Sequence, residues 1–306
     1  MHHPLFPKLV CALLLTASTL APATDTTPIH VLRAVSADAS IRIRNVAGSV
    51  RVTGWDRNDV QITGHLGSGN KPLVVEGSDR NLVIRVEADA PSGWFHWWGS
   101  ASAAPAQLDV HVPRAVALTL NVVSAKANVD GLEGGRLDIQ SVSGPVHVRA
   151  DSPRVAVTTV SGDVDLAGAM PSVRVETVSG GVNLPAAGIE LRLQTVSGNL
   201  HVKGGPLRDA DIGSVSGDAQ IQATFAPDAR LHVKTLSGDI QVILPEALSA
   251  QLDAETFSGA LEGVLAAAPK QKQGSGRRVT LRYGAGLGRI RLETFSGDIR
   301  VSAFDP

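Results

Sequence analysis

The sequence predicts an all-β protein, a β-solenoid (β-helix) with an N-terminal β cap. A tetrapeptide of the form Ser/Thr-apolar-Ser-Gly recurs eight times, with its glycines at Gly144, Gly162, Gly180, Gly198, Gly217, Gly238, Gly259 and Gly297. The steps between them are 18, 18, 18, 19, 21, 21 and 38 residues, so each coil takes about 18–21 residues and the last step is close to two coils. Self-similarity at a fixed period is the signature of stacked repeats. The flanks repeat as well: Val155, Val157, Val164 and Leu166 around Gly162 have apolar counterparts around nearly every other repeat glycine. Apolar and polar residues alternate on both sides of the Ser-Gly, which is the pattern of strands with one face buried. Composition agrees, with 43% apolar residues, 4% aromatics and 31 Gly in 306 residues.

The first 23 residues read as a cleaved signal peptide. His2, His3 and Lys8 form a weakly basic start, Leu9 to Leu20 is an apolar run, and Ala21-Pro22-Ala23 supplies small residues before Thr24. That layout directs export, and the run is too short to span a bilayer comfortably. Cys11, the chain's only cysteine, lies at the start of the run and not at the end, where a lipoprotein would need it. The mature chain would then hold no cysteine, which suits an oxidising compartment and excludes a disulfide framework. No later stretch is long and apolar enough for a span, so the expected location is periplasmic, secreted or at the cell surface.

Residues 24–113 are expected to form the β cap. Ile41, Ile43, Val50 and Val52 fit the repeat columns around Gly48, and Leu82 to Val86 and Leu108, Val110 and Val112 read as longer strands. Residues 114–306 are expected to form the solenoid, continuous with the cap as one domain. Each unit is two short strands and two turns. The Ser-Gly marks a turn or bulge, where glycine adopts backbone angles closed to other residues. Breakers such as Asp151-Ser152-Pro153, Met170-Pro171 and Gly204-Gly205-Pro206 join one unit to the next. An antiparallel meander would also give two strands per unit. Stacking is favoured because every column keeps one residue type. Residues 266–278, rich in Lys, Gln, Gly and Arg, stand as an insertion before the last unit.

At this point the residues carry a resemblance. Repeated Thr-Val-Ser-Gly-Asp-Val units behind a signal peptide resemble the bacterial envelope family DUF4097, an adhesin-like domain family. The segments from Ile41 to Val50 and from Leu292 to Ile299 resemble the two ends of that family's pattern. The resemblance implies a β-solenoid-like, extracytoplasmic protein without established catalytic residues.

The charge balance, 28 Lys and Arg against 29 Asp and Glu, makes nucleic acid a poor partner. The residues after the repeat glycines include Asp163, Asn199, Asp218, Asp239 and Asp298. A carboxylate row invites calcium, but Asp and Asn also cap turns through nearby backbone N–H groups, which is the favoured reading. Asp165 and Glu176 raise a carbohydrate-active enzyme as an alternative, since glycoside hydrolysis needs two carboxyl groups at a set separation. The outward face shows no aromatic platform beside them. The repeated serines lie in no Gly-x-Ser-x-Gly, and the histidines form neither His-x-His nor His-Glu-x-x-His, so no catalytic, metal or cofactor site is expected.

Trp94-Phe95-His96-Trp97-Trp98 is the one local anomaly. It lies in a segment from Pro91 to Pro105 otherwise made of small residues. It is either an exposed aromatic finger that binds a partner or a membrane interface, or a loop that plugs the open end of the solenoid. Together these features lead to a non-enzymatic binding or scaffolding protein whose partner is an envelope component, a membrane protein or a glycan. An envelope-stress sensor bound to a membrane protein is the further alternative.

Overall fold

The computed structural model describes residues 26–87, 104–267, 271–273 and 276–304. The expected signal peptide and the aromatic cluster Trp94–Trp98 therefore lie outside the described residues. Alternation decides the strands. Over Arg154–Ser161, Val155, Val157 and Thr159 are buried while Arg154, Thr158, Val160 and Ser161 are exposed. The same in-and-out period holds along the chain, because each strand has one face on the core and one in water.

Twenty-two strands result among the described residues. The first six are β1 (Thr27–Ala34), β2 (Ser40–Trp55), β3 (Asp59–Leu66), β4 (Val74–Gly77), β5 (Asn81–Arg85) and β6 (Ala106–Pro113). The middle of the chain holds β7 (Ala117–Glu133), β8 (Arg136–Ser143), β9 (Val146–Asp151), β10 (Arg154–Ser161), β11 (Val164–Ala167), β12 (Met170–Ser179), β13 (Val182–Ser197), β14 (Leu200–Ser214) and β15 (Ala219–Thr235). The last seven are β16 (Ile240–Pro245), β17 (Ala250–Thr256), β18 (Leu261–Gly263), β19 (Gln271–Gln273), β20 (Gly276–Tyr283), β21 (Gly288–Thr294) and β22 (Ile299–Phe304).

The coils pair in parallel, like residue beside like. Val155 and Val157 on β10 sit beside Leu137 and Ile139 on β8 and beside Val173 and Val175 on β12. Val164 on β11 sits beside Val146 on β9 and Val182 on β13. This parallel, solenoid-like sheet excludes the antiparallel meander. Its inner columns of Val, Leu and Ile make one continuous core along the stack.

The repeat glycines serve close approach more than unusual backbone angles. Gly144 and Gly162 have positive φ, at 127° and 157°, but Gly180, Gly198, Gly217, Gly238, Gly259 and Gly297 do not. What all of the last six share is proximity. A Cβ on Gly198 would lie 2.0 Å from the Gly180 carbonyl oxygen, and one on Gly217 would lie 2.2 Å from that of Gly198. The corner stacks so tightly that no side chain fits between coils.

Two differences from the sequence expectation are topological. First, β2 runs parallel and in register with β7, with Ile41 beside Leu118 and Val50 beside Ala127. On its other edge β2 pairs in parallel with β5 and β6. These strands of the region expected to be a cap thus continue the stack. The antiparallel layer outside them is β4 on β5, β3 on β6 and β1 on β3. Second, the order of coils in space departs from chain order at the far end. β21 lies between β15 and β17, and β22 lies between β16 and β18. The chain skips one place, lays β17 and β18, turns out through the antiparallel β20, and returns to fill the gap. The long step before Gly297 is this excursion. Antiparallel strands at both ends cover parallel edges that would otherwise be open to another chain.

Candidate functional site

In Ser/Thr-apolar-Ser-Gly the first residue faces in and the apolar residue after it faces out. Thr159, Thr177 and Thr195 are buried, and Val160, Val178 and Val196 stand beside them in water. The outward position is apolar on every coil. In stack order the row reads Val46, Val123, Val142, Val160, Val178, Val196, Val215, Leu236, Phe295 and Phe257, each between 37% and 53% exposed. The order at the far end follows from the hydrogen bonds Ser296 N–H to Leu236 O and Ser258 N–H to Phe295 O, both 2.9 Å. The rings of Phe257 and Phe295 stack at 4.8 Å between centroids and 5° between planes, matching the spacing of neighbouring strands. Ten rungs at that spacing make a stripe about 43 Å long. Contiguous exposed apolar stripes of this size mark interaction surfaces.

Beside its Leu/Phe end the row opens into a groove of about 750 Å³. The column four residues before each corner glycine faces outward, and at Gly213 it carries no side chain, between Gln194 on one coil and Lys234 on the next. One wall is apolar, with Val215, Leu236, Phe295 and Phe257. The other is polar, with Asp211, His232, Lys234, Arg291, Glu293 and Glu255. His232 stands 3.7 Å from the Asp211 carboxylate through Nδ1 and 3.8 Å from Glu293 through Nε2, and Arg291 donates to Glu293. The groove therefore offers aliphatic and aromatic contact along one side and both signs of charge along the other.

The Asp and Asn row after the glycines caps the backbone of the next coil. Asp163 Oδ1 accepts the Gly181 N–H at 2.9 Å, Asn199 Oδ1 that of Asp218 at 3.1 Å, and Asp218 Oδ1 that of Asp239 at 2.9 Å. Asp239 does the same for Asp298 at 2.8 Å, and Asp298 for Ala260 at 2.7 Å. Each carboxylate is engaged along the stacking axis, as turn capping requires. Among the described residues no group of three or more His, Cys, Asp or Glu is placed to hold a metal ion.

Asp165 and Glu176 are not brought together. Asp165 lines a groove of about 710 Å³ with Arg51, Asn128, His147 and Asn183, and Glu176 is not part of that lining. Asp165 pairs with His147 at 2.9 Å and accepts from Asn183 at 3.1 Å, while Glu176 accepts from Arg174 Nε at 2.9 Å. On the same outward column as Asp165, Arg300 donates to Glu262 from Nε at 2.8 Å, and that hydrogen bond and charge raise the guanidinium pKa above its ordinary value. The candidate aromatic residues Trp94, Phe95, His96, Trp97 and Trp98 lie outside the described residues. The described residues on either side of that segment lie beside the corner at the Val46 end of the stripe: Val86 N–H bonds to Arg44 O at 2.9 Å, and Ala106 pairs with Gly48.

The apolar row is the feature that sequence reasoning missed. Its signal was present, because the apolar residue of the tetrapeptide is out of phase with the buried columns that precede it.

The family model of Toastrack DUF4097 matches residues 39–302. No curated protein matches the chain. Among solved structures, an adhesin candidate from Parabacteroides distasonis is 10% identical, with 92% of this chain and 98% of that one covered at a TM-score of 0.45. One from Parabacteroides merdae is 9% identical, with 91% and 96% covered at 0.45. A protein from Parabacteroides distasonis described as a candidate lipid binding protein is 11% identical, with 91% and 98% covered at 0.34.

Proposed function

We propose, from the premise that this chain belongs to the Toastrack DUF4097 family, that it is a non-enzymatic extracytoplasmic protein that binds and scaffolds at the cell envelope. The observation that supports this is the exposed apolar row with its adjoining groove. Folding does not require ten apolar side chains there, since Thr, which is β-branched like Val, would suit an outward strand position as well. A stripe that spans the stack without serving the core is best explained by a partner that covers it. The partner is an envelope component, a membrane protein or a glycan, meeting the row with an apolar edge and the groove with polar groups. Export by residues 1–23 brings the chain to that compartment.

The test is a pull-down from envelope extract with three proteins: the unaltered chain, a row variant carrying Val160→Glu, and a groove variant carrying His232→Ala and Lys234→Glu. Melting curves of each control for folding. Loss of the captured partner with unchanged melts supports the reading. Equal capture by all three overturns it. A fourth protein with Trp94, Trp97 and Trp98 changed to Ala tests whether the aromatic cluster shares the contact.

A further inference from the structure

We propose that the apolar row is where two copies of this chain meet, antiparallel, about a two-fold axis between Val178 and Val196. This rests on the reading above and narrows it: the envelope component that covers the row is a second copy of this chain. A row of side chains repeating at the strand spacing of about 4.8 Å can be matched rung for rung only by a surface with the same period. A second copy has it. A two-fold interface brings one patch against itself, and the row is self-complementary when reversed. Val46 then faces Phe257, Val123 faces Phe295, and Val178 faces Val196, so the small end of one copy meets the large end of the other.

Charge favours the same arrangement. The two columns flanking the row are basic at the Val46 end and acidic at the Phe257 end. Four residues before the corner glycine, the first described rung carries Arg44 and the last carries Glu255. One residue after it, the second rung carries Lys126 and the second from last carries Asp298. Reversal sets Arg44 against Glu255 and Lys126 against Asp298, each twice by symmetry. A parallel pair would set like ends together. The antiparallel register also places Asp163 opposite Asp218, a like-charged pair that opposes part of this gain. Both of those carboxylates are turned along the axis to backbone N–H groups at 2.9 Å. The strip between the flanking columns is about 43 Å by 17 Å, near 730 Å² per copy, close to the ~800 Å² per partner of a standard interface.

The test is sedimentation velocity of the purified chain from about 1 to 100 µM. The expected mass is that of a dimer at the upper end, reduced to a monomer by Val178→Glu with an unchanged melt at the dilute end, where both chains are monomers. Two further variants probe the register. Arg44→Glu and Glu255→Arg should each weaken the dimer about tenfold, since each makes two like-charged contacts. Mixing these two variants should restore it, because each then faces the opposite charge. A monomer at every concentration overturns the proposal, as does a dimer indifferent to Val178→Glu or a mixture no tighter than its components. A monomer that still captures an envelope component or binds neutral lipid vesicles through the row also overturns it, and leaves the binding role itself standing.

Discussion

Replacing Gly198 by Ala puts the close stacking of the corner to a direct test. The added Cβ would sit 2.0 Å from the Gly180 carbonyl oxygen, where ordinary contact begins near 3.4 Å. Neighbouring coils must part locally by about 1 Å, because the obstacle is backbone and cannot rotate away. Overpacking of this kind costs about 1–3 kcal/mol. The separation also stretches the bond beside the corner that joins these two coils, Val182 N–H to Asn199 O at 2.9 Å. That bond is worth roughly 1 kcal/mol, so the total is about 2–4 kcal/mol, or about 4–8 °C in melting temperature for a chain of this size. Gly181, which follows the stacking partner Gly180, is the control. A Cβ there meets nothing closer than Asp163 Oδ1 at 3.5 Å, and its φ lies outside the left-handed region. Gly181→Ala should be neutral or stabilise by up to ~1 kcal/mol through the unfolded chain. Thermal melts of the two variants decide the matter. Equal melting temperatures would refute the close-approach explanation of the glycine row.

Other perturbations read different parts of the fold. Asp239→Ala should lower stability by about 0.5–1.5 kcal/mol through loss of the bond to the Asp298 N–H; Asp239→Asn should not, since Asn199 makes the equivalent bond to Asp218. Leu193→Ala, at a fully buried position in the central column, should cost about 2–5 kcal/mol in chemical denaturation. Ending the chain after Tyr283 removes β21 and β22 from the inside of the stack, so it should abolish cooperative melting of the last third; loss of merely one terminal coil's worth of stability would contradict the interleaved order. N-terminal sequencing of the protein recovered from the envelope fraction should begin at Thr24, and an intact Met1 would count against export by cleavage.

Much of the fold was legible because the repeat writes each structural column in one residue type. The alternation of Val155, Val157, Val164 and Leu166 gave the strands and their buried face, and the recurrence gave parallel stacking. The interleaving of β21 was not legible. Leu231, Leu252 and Ile290 fit the same column equally well, so composition cannot say which neighbours which. The division of the N-terminal region was hidden for a related reason. β5 and β6 form parts of one coil whose corner is interrupted by the segment that holds Trp94 to Trp98, which obscures the repeat. At the candidate site, attention to Trp94–Trp98 and to Asp165 and Glu176 followed residue types that commonly carry chemistry. The row from Val46 to Phe257 was passed over because valine in a β protein is ordinarily core. Only the phase of the alternation separates Val160, in water, from Val157, in the interior.

The binding role of the row is tested most directly by footprinting the dilute chain, the concentrated chain and the chain with envelope extract, using amide exchange or side-chain oxidation. Protection concentrated on Val142, Val160, Val178, Leu236 and Phe295, extending into the groove at Gly213, is the expected result. Protection on the other strand face around His147, Asp165 and Asn183, with the row left as exposed as in the dilute chain, would contradict it.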